Sequence, residues 1–308
     1  MSYAVLFPGQ GSQVVGMAED VRTTRPDLFG EPATSILGWD LDRMIADGPQ
    51  ESLTETQHAQ PALFASGFAL YEAFAAAVTS LPIAAAGHSL GEYTALAAAG
   101  ALSYADGLRL VWARGTAMAA CAATSPSGMA ALIGADADVA EAIAAGRRDD
   151  GGALYVANLN APGQIVLAGS TDDITWLVDN ARDLGVRRAI ALEVAAGFHS
   201  PFMAPAVADL EDALRTVDFE TPTFAVYANA TASPVSDVRS ALATQLTAPV
   251  RFSESLEAMA RAGVSTFVHV GPGDVTAGLA RRTVPDAEVH VVSTLSEAAS
   301  VAGLLSVQ

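Results

Sequence analysis

The chain has 308 residues, is 51% apolar and carries a formal charge of −18, and its basic residues are all arginine. So acidic a surface excludes general affinity for nucleic acid or an anionic membrane, although local arginines can still hold a phosphate. A single cysteine, Cys121, forbids an internal disulfide and predicts a reducing, cytoplasmic setting. The opening MSYAVLFPGQGSQ has neither a basic start nor a long apolar stretch, so no signal peptide is expected. Nor does any run reach the roughly 18 apolar residues of a membrane-spanning helix.

Residues 3–7, YAVLF, read as a short apolar strand ending at Pro8-Gly9. Residues 61–78 predict a helix opened by a proline in its first turn. The stretch 82–87, PIAAAG, is a candidate buried strand, followed by helices over 90–100 and 104–123. The middle of the chain reads as strand 129–134, helix 136–146, strands 154–159 and 164–169, helix 171–184 and strand 187–194. That is a βαββαβ, ferredoxin-like order. The stretch 147–152, RRDDGG, predicts a polar loop. Strands follow at 223–229 and 265–273, with a helix over 252–262 between them. Strands alternating with helices predict a mostly parallel sheet covered on both faces. The expected architecture is therefore α/β: a large subdomain of α/β-hydrolase type from residues 1–126 and 195–308, with a small ferredoxin-like subdomain inserted over 127–194. A cleft between the two is a natural ligand site.

The segment AAAGHSLGEYTALAAAG places one serine between two glycines, Gly87-x-Ser89-x-Gly91. This is the pattern of a nucleophile elbow, in which a strand turns sharply into a helix and leaves the serine exposed. A serine hydroxyl needs a base within hydrogen-bond reach. Of the five histidines, His88 adjoins the serine but reads as a packing residue under the elbow. His58, His269 and His290 read as structural. His199, in the loop AAGFHSPFM just after the expected insertion, is the candidate base, against a plain surface-loop histidine. A serine esterase on a hydrolase fold also fits an elbow, but it needs an acid between serine and histidine in chain order. No acid stands out there. PGQGSQ fails as a dinucleotide fingerprint, because the third glycine is missing at the required spacing.

FPGQGSQ (7–13), AQPAL (59–63), GHSLGEY (87–93), ARG (113–115), NAPGQ (160–164), GFHS (197–200), QLTAPVRF (245–252) and VGPG (270–273) occur in order along nearly the whole chain. Together they resemble the malonyl-CoA:acyl carrier protein transacylases, whose fold also serves the acyltransferase domains of polyketide synthases. The resemblance implies a ping-pong transfer of malonyl from malonyl-CoA to the phosphopantetheine thiol of an acyl carrier protein, with no metal or redox cofactor. It casts Ser89 as the acylated nucleophile, His199 as its base and Gln245 as the residue that orients His199 through an acceptor oxygen. The backbone amides of Gln10 and Leu90 become the oxyanion hole. Arg114, on a helix apolar around it, becomes the receptor for the malonyl carboxylate, which a planar guanidinium binds bidentately. Met118, Phe198, Asn160, Gln164 and Gln60 are implied near the substrate, although helix-start, turn or strand packing explains the last three equally well. Leu90 and a bulky Phe198 imply malonyl rather than methylmalonyl. An acidic carrier implies a local arginine patch, for which Arg187, Arg188, Arg251, Arg281 and Arg282 are candidates. A discrete polyketide acyltransferase with another acyl preference remains the close alternative. His269 departs from the acidic residue that often precedes VGPG.

Overall fold

The computed structural model describes residues 2–306. Strands β1 (Tyr3–Phe7), β2 (Ala84–Gly87), β7 (Ala225–Tyr227), β8 (Thr266–Val270) and β9 (Glu288–Val292) form a parallel sheet in the order β7-β2-β1-β8-β9. Every residue of β1, β2 and β8 is buried. That is why β1 and β2 read as unbroken apolar or small-residue runs: a parallel sheet is covered by helices on both faces.

Strands β3 (Ser127–Ile133), β4 (Leu154–Ala161), β5 (Gln164–Ser170) and β6 (Arg188–Ala191) form a separate antiparallel sheet in the order β4-β5-β3-β6. Its helices are Ala137–Asp149 and Thr171–Asn180, and it has its own apolar cluster around Leu132, Leu154, Leu167 and Leu177. This is the ferredoxin-like arrangement expected. The sheet is tied to the parallel-sheet body by main-chain bonds from Leu159 N to Val250 O and from Val250 N to Ala157 O, both 2.8 Å.

Several boundaries differ from expectation. The helix around Pro61 runs over Thr56–Ala77, so Pro61 lies inside it. The extra first turn is held by burial of Thr56, Ala59 and Gln60. Tertiary packing there outweighs the one hydrogen bond the proline cannot make. Arg147, Arg148 and Asp149 are not loop but the last turn of a helix, where arginine suits the negative end of the dipole. The strand expected over 187–194 stops at Ala191, and the strand expected over 223–229 shrinks to Ala225–Tyr227. Strand β9 and the helix Val238–Gln245 were not foreseen. No helix among the described residues is long and apolar enough to cross a membrane.

Candidate active site

Strands β1 and β2 run in register, Phe7 beside Gly87, so Pro8–Gln10 emerges alongside the turn that follows β2. In that turn Ser89 has a left-handed backbone, φ 51°. Two glycines permit the turn. A Cβ on Gly87 would lie 1.8 Å from the Gly91 carbonyl carbon, and one on Gly91 would lie 2.4 Å from Phe7 O. A non-glycine residue at positive φ is strained and persists only when its surroundings hold it. Here the Ser89 N–H donates to Asn229 Oδ1 at 2.7 Å, and its carbonyl accepts from Gln245 Nε2 at 2.9 Å.

The Ser89 hydroxyl lies 2.7 Å from His199 Nε2. On the far side of the ring, Nδ1 lies 3.0 Å from the main-chain carbonyl of Gln245. A carbonyl only accepts, so Nδ1 carries the proton and Nε2 is left to accept from the serine. His199 is itself at positive φ, 56°, in a loop knitted by Ser200 Oγ bonding to Gly197 O. Burial, and then the Arg114 guanidinium, push its pKa down to about 3. The imidazole is therefore neutral at neutral pH, the form a general base needs.

Arg114 is only 1% exposed. Its Nη1 donates to Gln60 Oε1 at 2.8 Å, and its Nη2 donates to Ser89 Oγ and Gln245 Oε1, each at 3.1 Å. Among the described residues it forms no ion pair. Burial lowers its pKa from the ordinary arginine value. A buried guanidinium that touches a nucleophile and forms no ion pair has the chemistry to bind a carboxylate brought in by a substrate.

Ser89 and His199 line a cavity of about 260 Å³ between the two sheets. Gln10, Met118, Asn158, Asn160, Gln164 and Phe198 line it too. Among the described residues, the main-chain N–H groups of Gln10 and Leu90 have no internal acceptor. Two free amides beside a nucleophile can stabilise a tetrahedral oxyanion. A larger groove, about 480 Å³, lies elsewhere against Pro162 and Gly163. Its charged side chains are acidic, Asp136, Glu254 and Glu257, and neither histidine nor arginine is among its lining residues.

Residues 5–305 match the family model described as Acyl transferase domain. The chain is 39% identical over 285 residues to a malonyl CoA-acyl carrier protein transacylase of Bacillus subtilis, covering 91% of this chain and 89% of that one. The chain belongs to the malonyl CoA-acyl carrier protein transacylase family. Its structure superposes on an acyl-carrier-protein-S-malonyltransferase of Bartonella henselae with a TM-score of 0.93, at 38% identity and with 99% of each chain covered. It also superposes, with a TM-score of 0.92 at 32% identity, on a malonyl-transacylase in complex with its holo type II PKS acyl-carrier protein, covering 99% of this chain and 100% of that one.

The transacylase fold brings all the sequence-predicted site residues to one place. Gln245 meets His199 through its main-chain carbonyl, while its side-chain oxygen accepts from Arg114. Gln60 bridges Arg114 and Met118 Sδ. His88 packs its ring on Phe252, with the centroids 5.4 Å apart, as a packing residue does. It borders the cavity, and its Nε2 lies 2.7 Å from Asn160 Oδ1 across the cleft. His269 is structural, bonded to Thr276 and the Gly271 carbonyl. Of the arginines named for a carrier, Arg251 is paired with Glu254 and Arg282 holds Gln164 and the Pro162 carbonyl. Arg187 and Arg188 are exposed and, among the described residues, unpaired. Sequence reasoning missed Asn229, Glu92 and Asn158. Asn158 was findable, since it lies two residues before Asn160 on one strand and so faces the same side. Asn229 comes from the far end of β7 and left no local signal.

Proposed function

We propose that the protein transfers malonyl from malonyl-CoA to the phosphopantetheine thiol of an acyl carrier protein through an ester on Ser89. In the first step the Ser89 Oγ proton passes to His199 Nε2 as Oγ attacks the thioester carbonyl. The oxyanion turns towards the Gln10 and Leu90 amides. Collapse breaks the carbon–sulfur bond, and the imidazolium returns its proton to the leaving CoA thiolate. In the second step His199 takes the proton of the carrier thiol, and the thiolate attacks the Ser89 ester. Collapse then releases Oγ, which regains that proton.

Gln245 O holds the His199 tautomer without a third acid, the role an aspartate plays in the serine triads. Arg114 binds the malonyl carboxylate beside the reacting ester. The bulk of Phe198 opposes an α-methyl branch. No step draws on a metal or redox cofactor, because the CoA thioester is the activated substrate. The free Cys121 and the CoA substrate both suit the cytoplasm. The carrier served belongs to fatty acid or polyketide synthesis.

The observation that carries this reading is that one atom, Ser89 Oγ, touches both His199 Nε2 and Arg114 Nη2. A nucleophile and a carboxylate receptor meet there, which a plain esterase does not require. The test is intact-protein mass spectrometry after separate mixing with malonyl-CoA, acetyl-CoA and methylmalonyl-CoA. A malonyl adduct on Ser89 that discharges onto holo carrier protein is expected. An adduct lost to water at the same rate with and without carrier would point to an esterase.

A further inference from the structure

Beneath the nucleophile lies a buried acid that the mechanism above does not use. Glu92 is the second residue of the helix that follows the elbow, and it is fully buried. One of its oxygens, Oε2, accepts from the Asn229 main-chain N–H at 2.8 Å and from Gln245 Nε2 at 2.9 Å. These two partners are the residues that clamp Ser89. Asn229 Oδ1 takes the Ser89 N–H, and Asn229 Nδ2 donates to Gly87 O at 2.7 Å. Gln245 Nε2 also donates to Ser89 O, while Gln245 Oε1 faces Arg114 Nη2.

An amide has one donating and one accepting end. With Glu92 Oε2 and Ser89 O on one side, only the NH2 of Gln245 can face them, so its oxygen is turned to the guanidinium. The reversed amide would set oxygen against two acceptors and NH2 against the donors of Arg114. We propose that Glu92 is a positioning residue for acyl selectivity: its Oε2 fixes the Gln245 amide, which fixes the Arg114 fork that receives the malonyl carboxylate. What matters is an acceptor at that position rather than a negative charge. Oε1 forms no hydrogen bond with the described residues, so nothing on that side is lost if it becomes an NH2. This inference rests on malonyl transfer as the reaction.

Two variants separate reach from charge. Glu92→Gln keeps an oxygen at the Oε2 position and removes the charge. Glu92→Asp keeps the charge and draws it back by one methylene, out of reach of Gln245 Nε2. Initial rates of Ser89 acylation are measured with malonyl-CoA and acetyl-CoA on wild type and both variants, and the readout is the ratio of the two kcat/KM values. Acetyl lacks a carboxylate for Arg114 to read, so it reports the elbow, His199 and the Arg114 contact to Ser89 without carboxylate binding. Glu92→Asp is expected to lower the malonyl-to-acetyl ratio by about tenfold, the worth of roughly one buried hydrogen bond, chiefly through KM for malonyl-CoA. Glu92→Gln should hold the ratio within about threefold of wild type, inside the spread of a single net hydrogen bond. The proposal is overturned if Glu92→Gln loses the ratio while Glu92→Asp keeps it, since charge is then what counts. It is equally overturned if Glu92→Asp slows both substrates alike or neither. A wild-type protein with no malonyl preference would instead count against the proposed function, a result read before either variant is made.

Discussion

The two faces of the catalytic cavity hold their polar atoms in opposite ways. On the parallel-sheet side, Arg114, Gln245 and His199 are 1%, 0% and 4% exposed, and each is fixed by at least two hydrogen bonds that close back on Ser89. On the antiparallel-sheet side, Gln164 is held by the exposed Arg282, and Leu192 is 37% exposed at the rim. Asn158 opens on the cavity without any side-chain bond among the described residues. Buried networks are costly unless satisfied, so they persist where geometry must be exact to a fraction of an ångström. A wall with fewer internal bonds tolerates change. The comparison assigns bond-making chemistry and carboxylate reading to the first face, and the shape and reach of the acyl-thioester arm to the second.

The hardest blow to the first face is removal of the nucleophile. Ser89→Ala should fold and show no malonyl adduct by intact-protein mass spectrometry. A full-strength adduct on that variant would move the chemistry elsewhere. Next comes His199→Ala, expected to slow acylation by about 10²–10⁴-fold, the usual worth of a general base. His88→Ala removes one hydrogen bond across the cleft and should cost about 1 kcal/mol. If pre-steady-state acylation rates ranked these two histidines the other way, the base would be misassigned.

Arg114→Ala tests the same face in two ways. Loss of a buried charge partner costs about 3–5 kcal/mol, so the malonyl-to-acetyl ratio of kcat/KM should collapse while acetyl transfer persists or rises. Arg114→Lys should rescue only in part, because an ammonium cannot reproduce the two parallel bonds. The second effect concerns pH. Burial is the larger cause that lowers the His199 pKa to about 3, and the Arg114 charge is the next. The base is active when neutral, so in wild type it stays competent well below the ordinary histidine value of 6.5. Removing the guanidinium takes away one downward push, so the pKa rises and the acid limb of the acetylation profile moves to higher pH. A limb that stayed in place, or moved down, would mean that Arg114 does not act on this imidazole.

These two faces were unequally legible in the sequence. Strands β1 and β2 announced themselves as unbroken apolar or small-residue runs, and the elbow by glycines that steric contact makes obligatory, whereas the half-exposed β9 did not. His199 was singled out by its loop position after the insertion, against a bland surface-loop reading, whereas Arg114 was reached through the resemblance, since a helix arginine has a bland reading of its own. The supporting acceptors were beyond local reading. Asn229 and Gln245 lie 140 and 156 residues beyond Ser89, and only the sheet order β7-β2 and the helix ending at Gln245 bring them under it. Glu92 stood inside the quoted motif, but an acid in the first turn of a helix usually needs no further explanation than the dipole. Its burial is what marks it, and burial is a tertiary fact.

The smallest effect belongs to the antiparallel face. Arg282 donates to Gln164 Oε1 at 2.5 Å and to the Pro162 carbonyl at 3.1 Å, pinning the β4–β5 turn to the helix Val275–Thr283. Both contacts are exposed, and exposed polar contacts contribute at most about 1 kcal/mol. The turn also has a second anchor, the main-chain bonds between Val250 and the Ala157–Leu159 stretch. Arg282→Ala should therefore raise KM for malonyl-CoA by no more than about fivefold, as the energy of one exposed contact allows, and leave the acylation rate at saturation unchanged. Steady-state kinetics with malonyl-CoA and carrier protein varied in turn would show it. A large loss at saturation would mean that the wall positions reacting atoms as tightly as the opposite face does, and the division of labour between the two would fail.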